Sequence, residues 1–244
     1  MSTDGIMLSL ILPAYNEALR LPPFLASVRA WLDGHYPGRY EVLVVDDGGH
    51  DGLLAVLEQQ AAGWPQLRWL RHPQNLGKGA AVRTGILAAE GELLLFADAD
   101  GATPITEEAP LAAAIRAGAD VAVGSRLISA PGAERSRVMS RALGGRLFAG
   151  LARRLFRLPV RDPQCGFKMF RRDVGRRLFS LSSESGYLFD VELLILATRL
   201  GYRIAEVPVS WREIPGGHFR VSENVPGIMA SLWRLCRRRQ WKDG

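Results

Sequence analysis

The sequence predicts an α/β fold in which a mostly parallel sheet is flanked by helices. Short apolar runs in its first half alternate with amphipathic stretches of about ten to fifteen residues, the spacing of βαβ units. The apolar runs are nearly continuous, as expected for strands that helices cover on both faces. Ligands of such sheets bind at the carboxyl ends of the strands, so the polar residues after each run are candidates for function.

The first half of the chain divides into alternating strands and helices. The predicted strands are Leu8–Leu12, Glu41–Val45, Leu67–Leu70, Glu92–Ala97 and Val121–Val123. A helix is predicted to begin near Pro22, because proline favours the first turn, and others cover Leu53–Gln60 and Ala80–Ala89.

The second half is less regular and ends in amphipathic helices. Helices are predicted over Arg141–Phe156, Phe189–Leu200 and Val225–Trp241. Between the last two, Arg203–Trp211 is typical of a strand pair or a long edge strand. We see no internal repeat and no linker, which favours a single domain over residues 1–244.

Basic residues are concentrated in one part of a chain whose net charge is +6. From Arg126 to Leu178, fourteen Lys and Arg face only three acidic residues. Such an excess indicates a polyanionic partner, namely nucleic acid, anionic lipid or a phosphorylated substrate. A solvated basic surface is the alternative.

The cysteines and the N-terminal segment indicate where in the cell the protein is expected. Cys165 and Cys236 lack metal-ligand spacing, which favours a reducing, cytoplasmic setting. The segment Met1–Met7 lacks the features of a signal peptide. No apolar run approaches the ~18–20 residues that span a bilayer, so any membrane contact is expected to be peripheral.

Polar or acidic residues follow three of the predicted strands. Pro13–Glu17 follows the first, Asp46–Gly49 the second and Asp98–Gly101 the fourth. In an extended chain, Asp98 and Asp100 would face the same way. Paired carboxylates favour a cation between them, and a hard divalent cation that also holds diphosphate oxygens fits this position. By itself, however, Asp-X-Asp is common in surface loops.

The segment Asn75–Gly79 precedes a predicted helix and offers a second candidate site. Its glycines permit a tight turn, and Lys78 supplies a cation for phosphate or carboxylate. A simple loop before a helix is the alternative, since the segment lacks the spacing of a P-loop.

Seven motifs in order resemble the inverting polyprenyl-phosphate glycosyltransferases. Dolichyl-phosphate β-glucosyltransferases are the most similar, and dolichyl-phosphate mannosyltransferases come next. The resemblance runs from about Leu8 to Trp211 and is carried by Pro13–Glu17, Asp46–Gly48, Asn75–Gly79, Asp98–Pro104, Gly124–Arg126, Gln164–Lys168 and Phe189–Leu193.

This resemblance implies a fold, a reaction and two partners. The fold would be GT-A, with a nucleotide-sugar-binding portion at about 1–125 and an acceptor- and membrane-facing portion at about 126–244. The reaction would move a hexose, glucose from UDP-glucose, onto a polyprenyl or dolichyl phosphate with inversion. Mg²⁺ or Mn²⁺ would be the cofactor. The enzyme would associate peripherally with the inner face of an anionic membrane.

The same resemblance assigns residue roles. Residues that would bind the nucleotide sugar are Pro13, Tyr15, Glu17, Asp46, Lys78 and Asp98. Asp100 would hold the metal, and Arg126 and Arg141 would gather phosphate charge at the transfer site. Asp190 would act as a base or orient the sugar; a carboxylate that only stabilises its helix start is the alternative.

Two departures and several alternatives accompany this interpretation. Ala102 stands where mannosyltransferase relatives have a metal-binding Gln, and Gly216–His218 replaces a Gly-Ser-Lys motif. Ala102 matches the glucosyltransferase pattern instead, and the two departures leave an inactive nucleotide-sugar-binding protein open. A GDP-mannose-dependent mannosyltransferase is the other alternative. A dinucleotide oxidoreductase lacks support because no Gly-X-Gly-X-X-Gly follows the first strand, and no nucleic-acid-binding module is visible.

Overall fold

A seven-stranded sheet organises the chain in the computed structural model, which describes residues 5–128, 135–136, 150, 152–214 and 221–237. Numbered in chain order, its strands are β1 (Leu8–Ala14), β2 (Tyr40–Asp46), β3 (Leu67–Arg71), β4 (Leu93–Ala97), β5 (Val121–Ser125), β7 (Phe167–Arg171) and β8 (Ile204–Pro208). Two short strands, β6 (Arg135–Ser136) and β9 (Trp211–Arg212), pair with each other in a separate sheet.

The strand order is β3-β2-β1-β4-β7-β5-β8, and all neighbours are parallel except at β7. β7 lies antiparallel between β4 and β5. The predicted fold class, a mostly parallel sheet flanked by helices, is therefore confirmed. The sequence did not predict β7. A lysine at its second position, Lys168, interrupts the apolar run that would have indicated a strand.

Helices cover both faces of the sheet. They are α1 (Leu21–His35), α2 (Leu53–Ala61), α3 (Lys78–Ala88), α4 (Glu108–Arg116), α5 (Arg172–Leu181), α6 (Phe189–Arg199) and α7 (Val221–Arg237). Because side chains alternate along a strand, β1 sends Leu10 and Leu12 into one core and Ile11 into the other. The first core includes α1, α2 and α4, and the second includes α3, α5, α6 and α7.

The predicted elements agree with the structure in most places. In the first half, the predicted strands and helices coincide with β1–β5 and α1–α3 within a few residues. The predicted helix Arg141–Phe156 lies mainly outside the described residues, although residues 152–156 are helical. Arg203–Trp211 forms the edge strand β8 and the first residue of β9. The sequence did not predict α4 or α5.

Candidate active site

The segments that follow β1, β2 and β4 meet at one edge of the sheet, because these strands are direct neighbours. The first two segments are hydrogen-bonded to each other. Asn16 Oδ1 accepts from His50 N at 2.9 Å, and Asp51 Oδ2 accepts from Ala18 N at 2.7 Å. The expectation that these polar strand ends lie together is therefore confirmed.

Lys78 and Asp98 form an ion pair at this edge. Lys78 begins α3, and its Nζ lies 2.5 Å from Asp98 Oδ1. Burial lowers the pKa of Lys78, but the carboxylates of Asp98, Asp190 and Asp100 outweigh burial and raise it above its ordinary value. Lys78 is therefore a fixed cation at neutral pH.

Asp98 also lies directly against the chain that leads into β7. Its backbone N donates to Gly166 O at 3.0 Å. A Cβ at Gly166 would lie 2.2 Å from Asp98 Oδ2, so only glycine fits beside this carboxylate. The motif Gln164–Lys168, from the second half of the chain, therefore lies beside Asp98 and belongs to the same site.

Asp100 occupies a turn, and the expected extended geometry for Asp98–Asp100 is wrong. Residues 99–100 form a turn after β4, which directs the two carboxylates to different partners. Asp100 Oδ1 accepts from Ala102 N at 3.0 Å, and Oδ2 lies 3.9 Å from Arg20 Nη1. Burial and the charge of Asp98 raise the pKa of Asp100 above its ordinary value. The two carboxylates still repel each other.

The donor atoms at this edge fit a divalent cation only if the substrate supplies further ligands. Within the described ranges, no group of three or more His, Cys, Asp or Glu is arranged to hold a metal ion. Burial and the charge of Asp98 keep the pKa of Asp100 raised despite the charges of Arg20 and Lys78, so a divalent cation would stabilise its carboxylate. Mg²⁺ commonly binds through one or two carboxylates together with waters and substrate phosphates. Asp100 therefore fits a metal that arrives with a diphosphate.

Arg20 is a component of the site that the sequence analysis missed. Its Nη2 pairs with Glu17, while its buried Nη1 has no hydrogen-bond partner among the described residues. Arg20 thus connects Glu17 to Asp100. The three-residue spacing between Glu17 and Arg20 was the only sequence signal.

The other residues expected around the nucleotide have different surroundings. Tyr15 is exposed at the rim, and Pro13 is partly buried in β1. Asp46 is fully enclosed: its Oδ1 accepts from Gly49 N at 2.9 Å, and its Oδ2 lies 3.4 Å from Arg71 Nε. Asp46 therefore holds the loop after β2 in place.

Asp47, which follows β2, fixes the loop that leads to Lys78. Its carboxylate accepts from the backbone N of Leu76 at 2.9 Å and of Gly77 at 2.8 Å. The ring of His72 bridges Asp47 and Thr84, at 2.7 Å and 2.9 Å. The Asp46-Asp47 motif thus contributes two loop-ordering carboxylates.

Arg126 lies just past β5 and is held by a buried carboxylate. Its Nε and Nη2 donate to the two oxygens of Asp162, each at 2.8 Å. Burial raises the pKa of Asp162, but the guanidinium of Arg126 outweighs it and holds the pKa below its ordinary value. The guanidinium also lies 5.9 Å from the centre of the Trp211 ring. Arg141 falls outside the described residues.

Asp190 forms a buried ion pair that the sequence did not predict. Its Oδ1 lies 2.5 Å from Nζ of Lys168, which also donates to Cys165 O at 2.5 Å. Lys168 is fully buried, and its ammonium lies 5.4 Å from the centre of the Phe96 ring. Burial raises the pKa of Asp190 despite the opposing charges of Lys168 and Lys78. A lysine among apolar residues was the available signal.

The sequence of this chain is similar to the sequences of several known proteins. The model of glycosyl transferase family 2 matches residues 9–179. Dolichyl-phosphate beta-glucosyltransferase from Drosophila melanogaster is 40% identical over 226 residues, which cover 88% of this chain and 69% of the relative. The Homo sapiens protein of the same name is 36% identical over 223 residues, covering 86% and 68%.

Solved structures with a similar fold are more distant in sequence. Glucosyl-3-phosphoglycerate synthase from Mycobacterium tuberculosis, in complex with Mn²⁺, UDP and glucosyl-3-phosphoglycerate, has a TM-score of 0.70 at 22% identity, covering 96% of this chain and 81% of its own. A mannosyltransferase from Pyrobaculum calidifontis, in complex with GDP-Man and Mn²⁺, has a TM-score of 0.63 at 20% identity, covering 99% and 66%. These likenesses concern the fold.

Proposed function

Because this chain belongs to glycosyltransferase family 2, we propose that it transfers glucose from UDP-glucose to a dolichyl or other polyprenyl phosphate, with inversion. The observation that carries the proposal is the convergence of Lys78, Asp98, Asp100 and Arg20 at one edge of the sheet. That cluster places fixed cations and a carboxylate of raised pKa where such sheets bind ligands. The names of the curated relatives favour glucose and dolichyl phosphate.

The charge of the acceptor accounts for the cationic side chains of the site. A phosphate monoester has its second pKa near ~6, so it is already an anion at neutral pH. It can attack the anomeric carbon directly while the nucleoside diphosphate leaves. The enzyme must then hold two anions together and orient them. Lys78 and Arg126 are fixed cations whose pKa values the charge of Asp98 helps to raise, and we assign Arg141 to the acceptor phosphate.

A divalent cation is the cofactor that we propose, with Asp100 as its protein ligand. When bound, it would neutralise charge that develops on the departing diphosphate. Arg20 lies beside Asp100 and would keep that carboxylate in place. Pro13, Tyr15, Glu17 and Asp46 would border the nucleoside. Asp190, fixed by Lys168, would orient the sugar.

The donor is tested by thermal unfolding with a panel of nucleotide sugars. We expect UDP-glucose with Mg²⁺ or Mn²⁺ to raise the unfolding temperature most, because a ligand at a hundred times its Kd adds about 2.7 kcal/mol to the folded state. GDP-mannose, and UDP-glucose with excess chelator, are the comparisons. A larger shift and faster transfer with GDP-mannose would assign the chain to mannosyl transfer instead.

We also propose that the enzyme binds the cytoplasmic surface of anionic membranes through α7 and the basic residues that follow it in the sequence. Met229 and Trp233 are 56% and 58% exposed on α7, and the Arg237 guanidinium lies 4.3 Å from the Trp233 ring centre. Apolar side chains beside arginines are typical of interfacial helices. Arg238, Arg239 and Lys242 extend this charge in the sequence. No helix of the described part combines the length and apolarity needed to cross a bilayer.

Sedimentation with lipid vesicles tests the membrane proposal. We expect binding to vesicles that contain anionic lipid at low salt and release as salt is raised, since each basic residue near the surface contributes about 1 kcal/mol. Trp233→Ser should weaken binding roughly tenfold, which corresponds to about 1.4 kcal/mol. Leu87→Ser, a change at an exposed leucine on α3, serves as the control. Equal binding to neutral vesicles, or no effect of salt, would contradict the proposal.

A further inference from the structure

The segment of residues 182–186, between α5 and α6, packs directly against the backbone that carries Lys78. Ser185 O accepts from Gly79 N at 2.8 Å. A Cβ at Gly77 would lie 2.4 Å from Ser185 O, and one at Gly79 would lie 2.7 Å from Glu184 O. Both neighbours of Lys78 therefore contact the 182–186 segment without a gap.

Two further elements hold this segment from the core side. The carboxylate of Glu192, on α6, accepts from the backbone N of Ser183 at 3.1 Å and of Glu184 at 2.7 Å. On α3, Arg83 donates to Ser182 Oγ at 3.2 Å and to Glu184 O at 3.3 Å. The backbone of the segment is thus fixed relative to α3 and α6.

The side chain of Glu184 faces the opposite way, toward the C-terminal helix α7. It is almost completely buried, and it accepts from Ser231 Oγ at 2.9 Å and from Arg234 Nη2 at 3.1 Å. Arg234 also donates to Ser231 Oγ at 2.7 Å. Glu184 therefore contacts α7 through its carboxylate and α3 through its carbonyl, which accepts from Arg83 and lies against Gly79.

We propose that Arg234 and Ser231 are positioning residues for the donor site. By holding Glu184 they fix the 182–186 segment against Gly77 and Gly79, and so keep Lys78 beside Asp98. Loss of the Arg234 contact leaves a buried carboxylate with one cation fewer, and this cost favours a shift of Glu184, and with it of the segment, toward solvent. A shift of about 1 Å in catalytic geometry can cost roughly a hundredfold in rate. The inference rests on the proposed function only for the identity of the donor.

The test uses Arg234→Met, which keeps the apolar stem of the side chain and removes its charge. We expect kcat/KM for UDP-glucose to fall about tenfold, mainly through a higher donor KM, in a detergent assay that does not depend on membrane binding. Arg234→Lys should recover part of the loss. Arg177→Met, at an exposed arginine on α5, is the matched control and should stay within about twofold of the wild type.

A second variant separates positioning from loss of fold. Glu184→Gln should lower kcat/KM by a similar factor, and the Glu184→Gln/Arg234→Met double variant should be little worse than either single one, because the two residues act through one contact. Normal kcat/KM in both single variants would overturn the inference, as would losses that simply add. If the wild type transfers no glucose, the donor assignment is wrong. The same comparison is then made with the nucleotide sugar that gives the largest thermal shift.

Discussion

Replacing Asp100 with Asn should lower glucosyl transfer by about a hundredfold or more, equivalent to about 2.7 kcal/mol of transition-state stabilisation. Asparagine keeps the hydrogen bond from Ala102 N but lacks the charge that would hold a divalent cation. Steady-state rates, measured over a range of Mg²⁺ and Mn²⁺ concentrations, give the loss. Higher metal concentration should not restore the rate in the variant.

The same substitution should leave the fold unharmed. The raised pKa of Asp100 means that ionisation of its carboxyl group destabilises the folded protein. The stability contributed by the protonated carboxyl is present below its unfolded pKa and is lost as pH rises through its folded pKa. Asparagine removes this cost, so at pH 7 without metal the unfolding temperature should be unchanged or slightly higher. Asp173→Asn, at an exposed carboxylate on α5, is the control for a lost negative charge. Transfer that persists in Asp100→Asn, or in excess chelator, would refute the metal hypothesis.

Replacing Lys168 with Met should destabilise the protein by about 3 kcal/mol or more. Removal of one partner of a buried ion pair leaves an uncompensated charge, here the carboxylate of Asp190. In a chain of this size, each kcal/mol lowers the unfolding temperature by roughly 2–4 °C. Calorimetry or denaturant unfolding would therefore record a drop of about 6 °C or more.

The pH dependence of this variant follows from the direction of the Asp190 pKa. Burial already raises that pKa, and loss of the Lys168 ammonium raises it further. Such a carboxyl contributes stability at low pH that is lost as pH rises through its folded pKa. The deficit of Lys168→Met should therefore be smaller at pH 5 than at pH 8. Lys168→Met/Asp190→Leu should recover much of the loss, because an apolar pair carries no buried charge. A pH-independent deficit, or no recovery, would show that Lys168 matters for packing alone.

The sequence by itself determined the first five strands of the sheet and the end of the sheet where the candidate site lies. Continuous apolar runs such as Leu8–Leu12 predict strands buried on both faces, and β1 indeed sends alternate residues into two cores. The position of Asp98 and Asp100 directly after a strand placed them at the carboxyl end of the sheet, where ligands of such folds bind. These features can be predicted from residues that are close in sequence, because the pattern of apolar side chains shows which parts of a strand or helix are buried.

Only the tertiary structure decided which charges meet. Lys168 and Asp190 are 22 residues apart, and the antiparallel insertion of β7 brings Lys168 to the site. Arg234 and Glu184 are 50 residues apart and meet because α7 packs on the second core. The turn at residues 99–100 likewise sends Asp98 toward Lys78 and Asp100 toward Arg20. An ion pair leaves no periodic pattern in the sequence, since its partners are chosen by the packing of whole elements. The fold, the acidic edge and the cation Lys78 could therefore be predicted from the sequence, whereas Arg20 and the partners of Asp190 and Glu184 could not.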